Sequence, residues 1–118
     1  MHPLSIARVI LYVKDIPKAA AFYERFFGMK PLPGATDGRI ELASASGGCA
    51  IALHRAAKSQ KSGAAMKLVF GVKDVQTFVR ESEEKGLHFG AIHRVEGFEF
   101  ANAKDPAGNS LSVSSRGL

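Results

Sequence analysis

Four histidines, a single cysteine, two tyrosines and a row of alternating serines are the side chains here with chemistry to offer beyond charge. The histidines are poorly spaced for a metal. His88 and His93 lie five positions apart, an odd interval that sends them to opposite faces of a strand. His54 closes an apolar run, and His2 stands beside the first residue. No HxH or HExxH spacing occurs, so the pattern that gathers imidazoles around zinc is missing. Cys49 is alone, which excludes an intrachain disulfide and a thiolate cluster. Its flanks, Gly48-Cys49-Ala50-Ile51, read as a buried strand in which a thiol is inert packing. Tyr12 offers a phenol as a general acid, against the commoner role of lining a pocket. Ser110, Ser112 and Ser114 alternate with Leu111 and Val113, which puts hydroxyls on one strand face and branched apolar groups on the other. Phe98 and Phe100 share a strand face that reads as core rather than as a stacking platform, turning Glu99 the other way, toward a cavity.

The 118 residues suit one domain, and an apolar content of 46% is ample for a buried core. No stretch approaches the ~20 consecutive apolar residues of a membrane span. Residues 1–15 also lack the basic start, apolar stretch and cleavage site of a secretory signal. The expectation is a cytoplasmic protein with no membrane partner. Sixteen Lys and Arg against eleven Asp and Glu leave a formal charge of +5, which favours anionic partners. The densest basic stretch, His54-Arg55-Ala56-Ala57-Lys58-Ser59-Gln60-Lys61, has no interleaved aromatic groups for base stacking. It reads as a solvated linker, and nucleic acid is a disfavoured partner.

The chain repeats itself. Val13-Lys14-Asp15-Ile16 returns as Val72-Lys73-Asp74-Val75 after 59 positions, half the chain length. Each copy follows an apolar run of strand length, Ala7 to Val13 and Lys67 to Val72, and precedes a helical segment closed by Gly28 or Gly86. Asp15 and Asp74 are placed to cap the helices, accepting from backbone N–H groups at the positive end of the dipole. Pro17 falls in the first turn, where its missing N–H has no intrahelical partner to lose. In the second helix Val75, Phe78 and Val79 make an apolar stripe, while Glu81 and Lys85 form a solvent-facing pair. Short strands follow: Met29 to Leu32, Arg39 to Ala43 and Gly48 to His54, then Leu87 to Val95, Gly97 to Ala103 and Ser110 to Ser114. Asp105-Pro106-Ala107-Gly108-Asn109 is a tight turn. The reading is an α+β chain of two tandem βαβββ modules, module one about 5–55 and module two about 66–116, joined by a linker at 56–65.

Val9-Ile10-Leu11-Tyr12-Val13-Lys14-Asp15-Ile16, Ala21-Phe22-Tyr23, Phe27-Gly28 and Lys104-Asp105-Pro106-Ala107-Gly108-Asn109 together resemble the vicinal oxygen chelate superfamily. That family includes glyoxalase I, fosfomycin-resistance enzymes, extradiol dioxygenases and bleomycin-resistance proteins. The resemblance spans nearly the whole chain and is specific for the fold, not for one function. It implies paired βαβββ modules whose mixed sheets curve around a cavity, and a homodimer. In the family's metal-dependent enzymes, His and Glu ligands occupy four inward strand positions. Here the resemblance places them at Arg8, seven residues before Asp15, at Lys67, seven before Asp74, at Ser112, seven after Asp105, and at Ala52. None is a metal-binding residue type, and arginine has no lone pair to give. The expectation is a protein with no metal and no other cofactor.

If Arg8 faces inward, alternation brings Ile10 and Tyr12 with it, and in the second module Lys67, Val69 and Gly71. The serine row, Ser110 and Ser112 above all, then lines the same space. Two cations, several hydroxyls and a phenol suit an anion held by charge-assisted hydrogen bonds. A structural alternative stands beside this: Arg8 or Lys67 neutralised by a carboxylate such as Glu41 or Glu99. The first functional reading is therefore a metal-free small-molecule-binding protein with an anionic ligand, its site formed by Arg8, Tyr12, Ala52, Lys67, Ser110 and Ser112. The bleomycin-resistance proteins it resembles bind a cationic antibiotic in an acidic groove, which makes bleomycin itself a poor ligand here. The second reading is a lyase, isomerase or dioxygenase of the glyoxalase kind, using metal at shifted positions or Tyr12 and Lys67 as acid and base. The third is a nucleic-acid-binding protein.

Overall fold

A computed structural model describes residues 3, 6–59, 66–116 and 118 of the chain. Its contacts divide into two units, Met1–Ser62 and Gly63–Leu118. His2 and residues 60–65 of the expected linker lie outside the described residues.

The first unit runs β1 (Arg8–Val13), α1 (Ile16–Phe27), β2 (Lys30–Pro31), β3 (Arg39–Ala43) and β4 (Ala50–Arg55). Its sheet has the order β1-β4-β3-β2, with β1 parallel to β4 and the other pairs antiparallel. The second unit repeats the plan with β5 (Lys67–Gly71), α2 (Val75–Glu84), β6 (His93–Val95), β7 (Phe98–Lys104) and β8 (Ser110–Ser114). Its order is β5-β8-β7-β6, with β5 parallel to β8. The fold is thus α+β, two βαβββ modules with a four-stranded mixed sheet each.

The repeated aspartates act as expected. The Asp15 carboxylate accepts from the Lys18 backbone N–H at 3.0 Å and that of Asp74 from Thr77 at 3.0 Å, so each helix begins on a satisfied cap. Gly28 ends α1 with φ of 66°, a left-handed value that a side chain would strain. Each sheet turns one face to its helix. In the first unit Leu11, Val13, Leu42, Ile51 and Leu53 are buried with Ile16, Ala19, Ala20 and Tyr23 of α1. Leu42 and Leu53 are fully buried, worth roughly 1.5–3 kcal/mol apiece. In the second unit Ala101, Leu111 and Val113 are buried, as are Val75 and Val79 of α2.

Several expectations need correction. Leu87 to Ile92 is not a strand: β6 begins only at His93, although Gly90 donates to the Asn102 carbonyl at 2.9 Å. Two nearby glycines, Gly86 and Gly90, interrupt the run that alternation alone made look regular. Because of this, the odd spacing of His88 and His93 carries no strand geometry. Cys49 is exposed, lying just before β4 rather than buried in it, since the positive-φ pair Gly47 and Gly48 holds the chain in a turn until Ala50. Glu81 and Lys85 are both exposed, yet no ion pair joins them among the described residues.

Candidate functional site

On the side of each sheet away from its helix, the register fixes which side chains meet. In the first unit Arg8, Ile10 and Tyr12 share this face, with Ile10 39% and Tyr12 47% exposed. Ile10 stands opposite Ala52, which stands opposite Glu41. Tyr12, His54 and Arg39 form the next row, and the Tyr12 and His54 rings meet edge-on at 6.0 Å. Ala50 and Ala52 offer only methyl groups on β4, so Arg8 reaches over them and sets its Nε 3.1 Å from Glu41 Oε1. The alternative in which Glu41 neutralises Arg8 describes this pair.

The second unit presents Lys67, Val69 and Gly71 of β5, the serines of β8, and Phe98, Phe100, Asn102 and Lys104 of β7 on its corresponding face. Lys67, Ser110 and Lys104 form one row across three strands; Val69, Ser112 and Asn102 form the next; Gly71, Ser114 and Phe100 the third. Lys67 extends diagonally over β8, its Nζ donating to Asn102 Oδ1 at 3.1 Å. Lys104 leans in from the other side, its Nζ donating to Ser110 Oγ at 2.9 Å. Lys67 thus ends on an oxygen of β7 and Lys104 on one of β8, and both acceptors are neutral. Among the described residues neither lysine forms an ion pair with a carboxylate. Asp105, adjacent in sequence, directs its carboxylate into the β7–β8 turn, accepting from the backbone N–H groups of Ala107 and Asn109 at 2.9 and 2.8 Å and from Asn109 Nδ2 at 3.1 Å. The Asp105-Pro106-Ala107-Gly108-Asn109 segment is therefore a structural turn.

At the other end of this face His93 stacks on Phe100 with ring centroids 4.9 Å apart, and Phe98 lies 6.3 Å from Phe100. The reading of these phenylalanines as core is corrected: they share the face of the serine row and are half-buried. Glu99 accordingly points to the helix side, where it accepts from Arg94 Nη2 at 2.7 Å and Gln76 Nε2 at 3.1 Å. Those two hydrogen bonds, Arg94 first, hold its carboxyl below the usual glutamate range. It is not the counter-charge of Lys67. A shallow groove of about 310 Å³, lined by Arg94, Val95, Phe98 and Glu99 among others, lies toward the β6 edge and away from the lysines.

The two faces are equivalent position by position. Arg8 and Lys67 each precede their capping aspartate by seven residues, and Glu41 and Asn102 stand opposite Ala52 and Ser112. What differs is charge: a carboxylate meets the first cation and an amide meets the second. Alternation puts Lys67, Ser110 and Ser112 on one face, as the register does, and leaves out Lys104 and Asn102, which share it. The pairing of β7 with β8 across the Asp105 turn decides that Lys104 faces Ser110 and Asn102 faces Ser112, and local alternation does not fix it.

The resemblance places the family's metal-ligand positions at Arg8, Ala52, Lys67 and Ser112. This set does not fit a metal, since two members are cations and one is a methyl group. Among the described residues no three His, Cys, Asp or Glu side chains cluster as ligands.

Paired βαβββ modules with a four-stranded mixed sheet each define a fold class rather than a single activity. The chain belongs to the Glyoxalase/Bleomycin resistance protein/Dioxygenase superfamily, whose family model matches residues 5–113. No curated protein matches the sequence. Among solved structures it is similar to a lactoylglutathione lyase from Agrobacterium tumefaciens, at 24% identity and TM-score 0.75 over 95% of this chain and 93% of that one. An antibiotic-binding protein from Streptomyces sp. CB03234 superposes with TM-score 0.80 at 20% identity, covering 96% of each chain. An integron cassette protein from V. cholerae is 27% identical with TM-score 0.71, covering 97% of this chain and 96% of its own. No helix among the described residues is long and apolar enough to cross a membrane.

Proposed function

We propose that this chain is a small-molecule-binding member of its superfamily that takes an anionic ligand without a metal ion and does not transform it. The observation that carries this reading is the replacement of the family's ligand positions by Arg8, Ala52, Lys67 and Ser112, together with the neutral oxygens on which Lys67 and Lys104 end. Lys67 and Lys104 are exposed and together raise the positive potential of this face, and neither is paired with a carboxylate among the described residues. On the second unit's face the Ser110 hydroxyl adds a further donor, while Ser112 is buried; Tyr12 stands exposed on the first unit's face. An antibiotic-binding protein among the solved structures of this fold is in keeping with a small-molecule-binding role.

Native mass spectrometry of the untagged protein tests the reading, because one spectrum reports bound metal, retained small molecules and subunit number. A metal-free species carrying a small acidic adduct supports it, and a dimeric mass would extend the family's homodimer to this chain. One divalent ion per subunit contradicts it and favours a lyase or dioxygenase of the glyoxalase kind.

A further inference from the structure

We infer that the ligand's anionic group docks on the second unit alone, over Ser110 between Lys67 and Lys104, and that the ligand carries a flat aromatic body lying toward Phe100 and His93. This rests on the anion-binding reading above and narrows it to one face and one chemical class. On the first unit's face, Arg8 is compensated by Glu41 at 3.1 Å, so an incoming anion must displace a carboxylate already in place. On the second, Lys67 and Lys104 start from strands two apart, about 10 Å between backbones, and lean toward each other over β8. An oxyanion between them replaces amide and hydroxyl acceptors with a charged one, the stronger class of hydrogen bond.

The aromatic requirement comes from the same register. Ser110 and Ser114 are four residues apart, about 13 Å along the strand, and the row at Ser114 ends in Phe100 and His93. Between the charged and aromatic ends lies Val69, 60% exposed. Leu118 borders the aromatic end, its Cδ1 only 3.1 Å from where a side chain at Gly71 would begin. A ligand anchored at the lysines therefore extends across Val69, Ser112 and Asn102 to the aromatic pair, and stacking on Phe100 adds affinity that a bare inorganic anion forgoes. On the first unit the equivalent cation, Arg8, is already paired, and Tyr12 occupies the position of Gly71 with its ring edge-on to His54.

Isothermal titration of the full chain with naphthyl phosphate, inorganic phosphate and naphthol tests the inference. Naphthyl phosphate binds saturably and about tenfold or more tighter than either fragment. Lys67→Gln and Lys104→Gln each weaken it about tenfold, while Lys14→Gln, which removes a charge elsewhere, leaves it unchanged. Phe100→Ala removes the advantage of naphthyl phosphate over phosphate. A loss on Arg8→Gln as large as on the lysine variants overturns the confinement to the second unit while leaving the anion-binding reading intact. Naphthol binding as tightly as its phosphate overturns the anchoring role of the lysines. Absence of binding by both phosphates in the millimolar range overturns this inference and the anion-binding reading together.

Discussion

Arg8 reaches across β4 to Glu41, with its Nε 3.1 Å from the carboxylate oxygen, over two alanines that leave room for the crossing. The arginine side chain is 53% exposed and the glutamate 29%, so solvent screens the pair. Glu41→Gln is expected to cost no more than about 1 kcal/mol in urea unfolding. A larger loss would mean that the pair braces the sheet.

Asp105 is a different case because its carboxylate is buried, 5% exposed, and accepts three hydrogen bonds within the β7–β8 turn. Asp105→Ala strands those donors and is expected to cost about 2–3 kcal/mol. Asp15→Ala, which removes one exposed helix cap, is expected to cost about 1 kcal/mol. Denaturant titrations of the two variants should preserve this order.

Acid should destabilise the second unit through Asp74 and Glu99. The carboxyl of Asp74 is held below its ordinary range chiefly by the Thr77 backbone N–H, and that of Glu99 by Arg94. Groups with depressed folded-state values contribute stability that is complete above their unfolded values and is lost as pH falls through the folded ones. The unfolding midpoint is therefore expected to be flat near neutrality and to fall below about pH 4.5. The Asp74→Asn, Glu99→Gln double variant should show a shallower fall; an unchanged profile would place the acid sensitivity elsewhere.

Cys49 is exposed, with only a 3.5 Å contact from its sulfur to the Ala50 carbonyl. Ellman's reagent is expected to titrate one thiol per chain under native conditions, with no change in the far-ultraviolet dichroism. A thiol that reacts only after denaturation would contradict the turn at Gly47 and Gly48.

Much of the architecture was legible because it is written twice. The Asp15 and Asp74 caps, the βαβββ order and the strands Arg39–Ala43 and Ser110–Ser114 follow from local pattern, and the structure reproduces them. Alternation also set Arg8, Tyr12 and Lys67 on the open faces. What local pattern did not carry was register. Which residue of β7 faces Ser110, and so which way Phe100 and Glu99 point, depends on pairing across a turn, and a one-residue slip reverses every side chain. Glycines misled at both ends of the same problem: Gly47 and Gly48 kept Cys49 out of the strand, and Gly90 falls inside the span read as a strand from Leu87. The neutralisation of Arg8 by Glu41 needed two strands in place before it could be seen.

The charge difference between the partners, Glu41 beneath Arg8 and Asn102 beneath Lys67, invites the most direct test. Asn102→Asp changes one amide to a carboxylate of the same shape and gives Lys67 the partner that Arg8 already has. Calorimetric titration with naphthyl phosphate should then show binding weakened by about tenfold or more, with the thermal midpoint no lower than that of the unaltered chain. Unchanged affinity in this variant would contradict the claim that the uncompensated lysines of the second unit hold the anion.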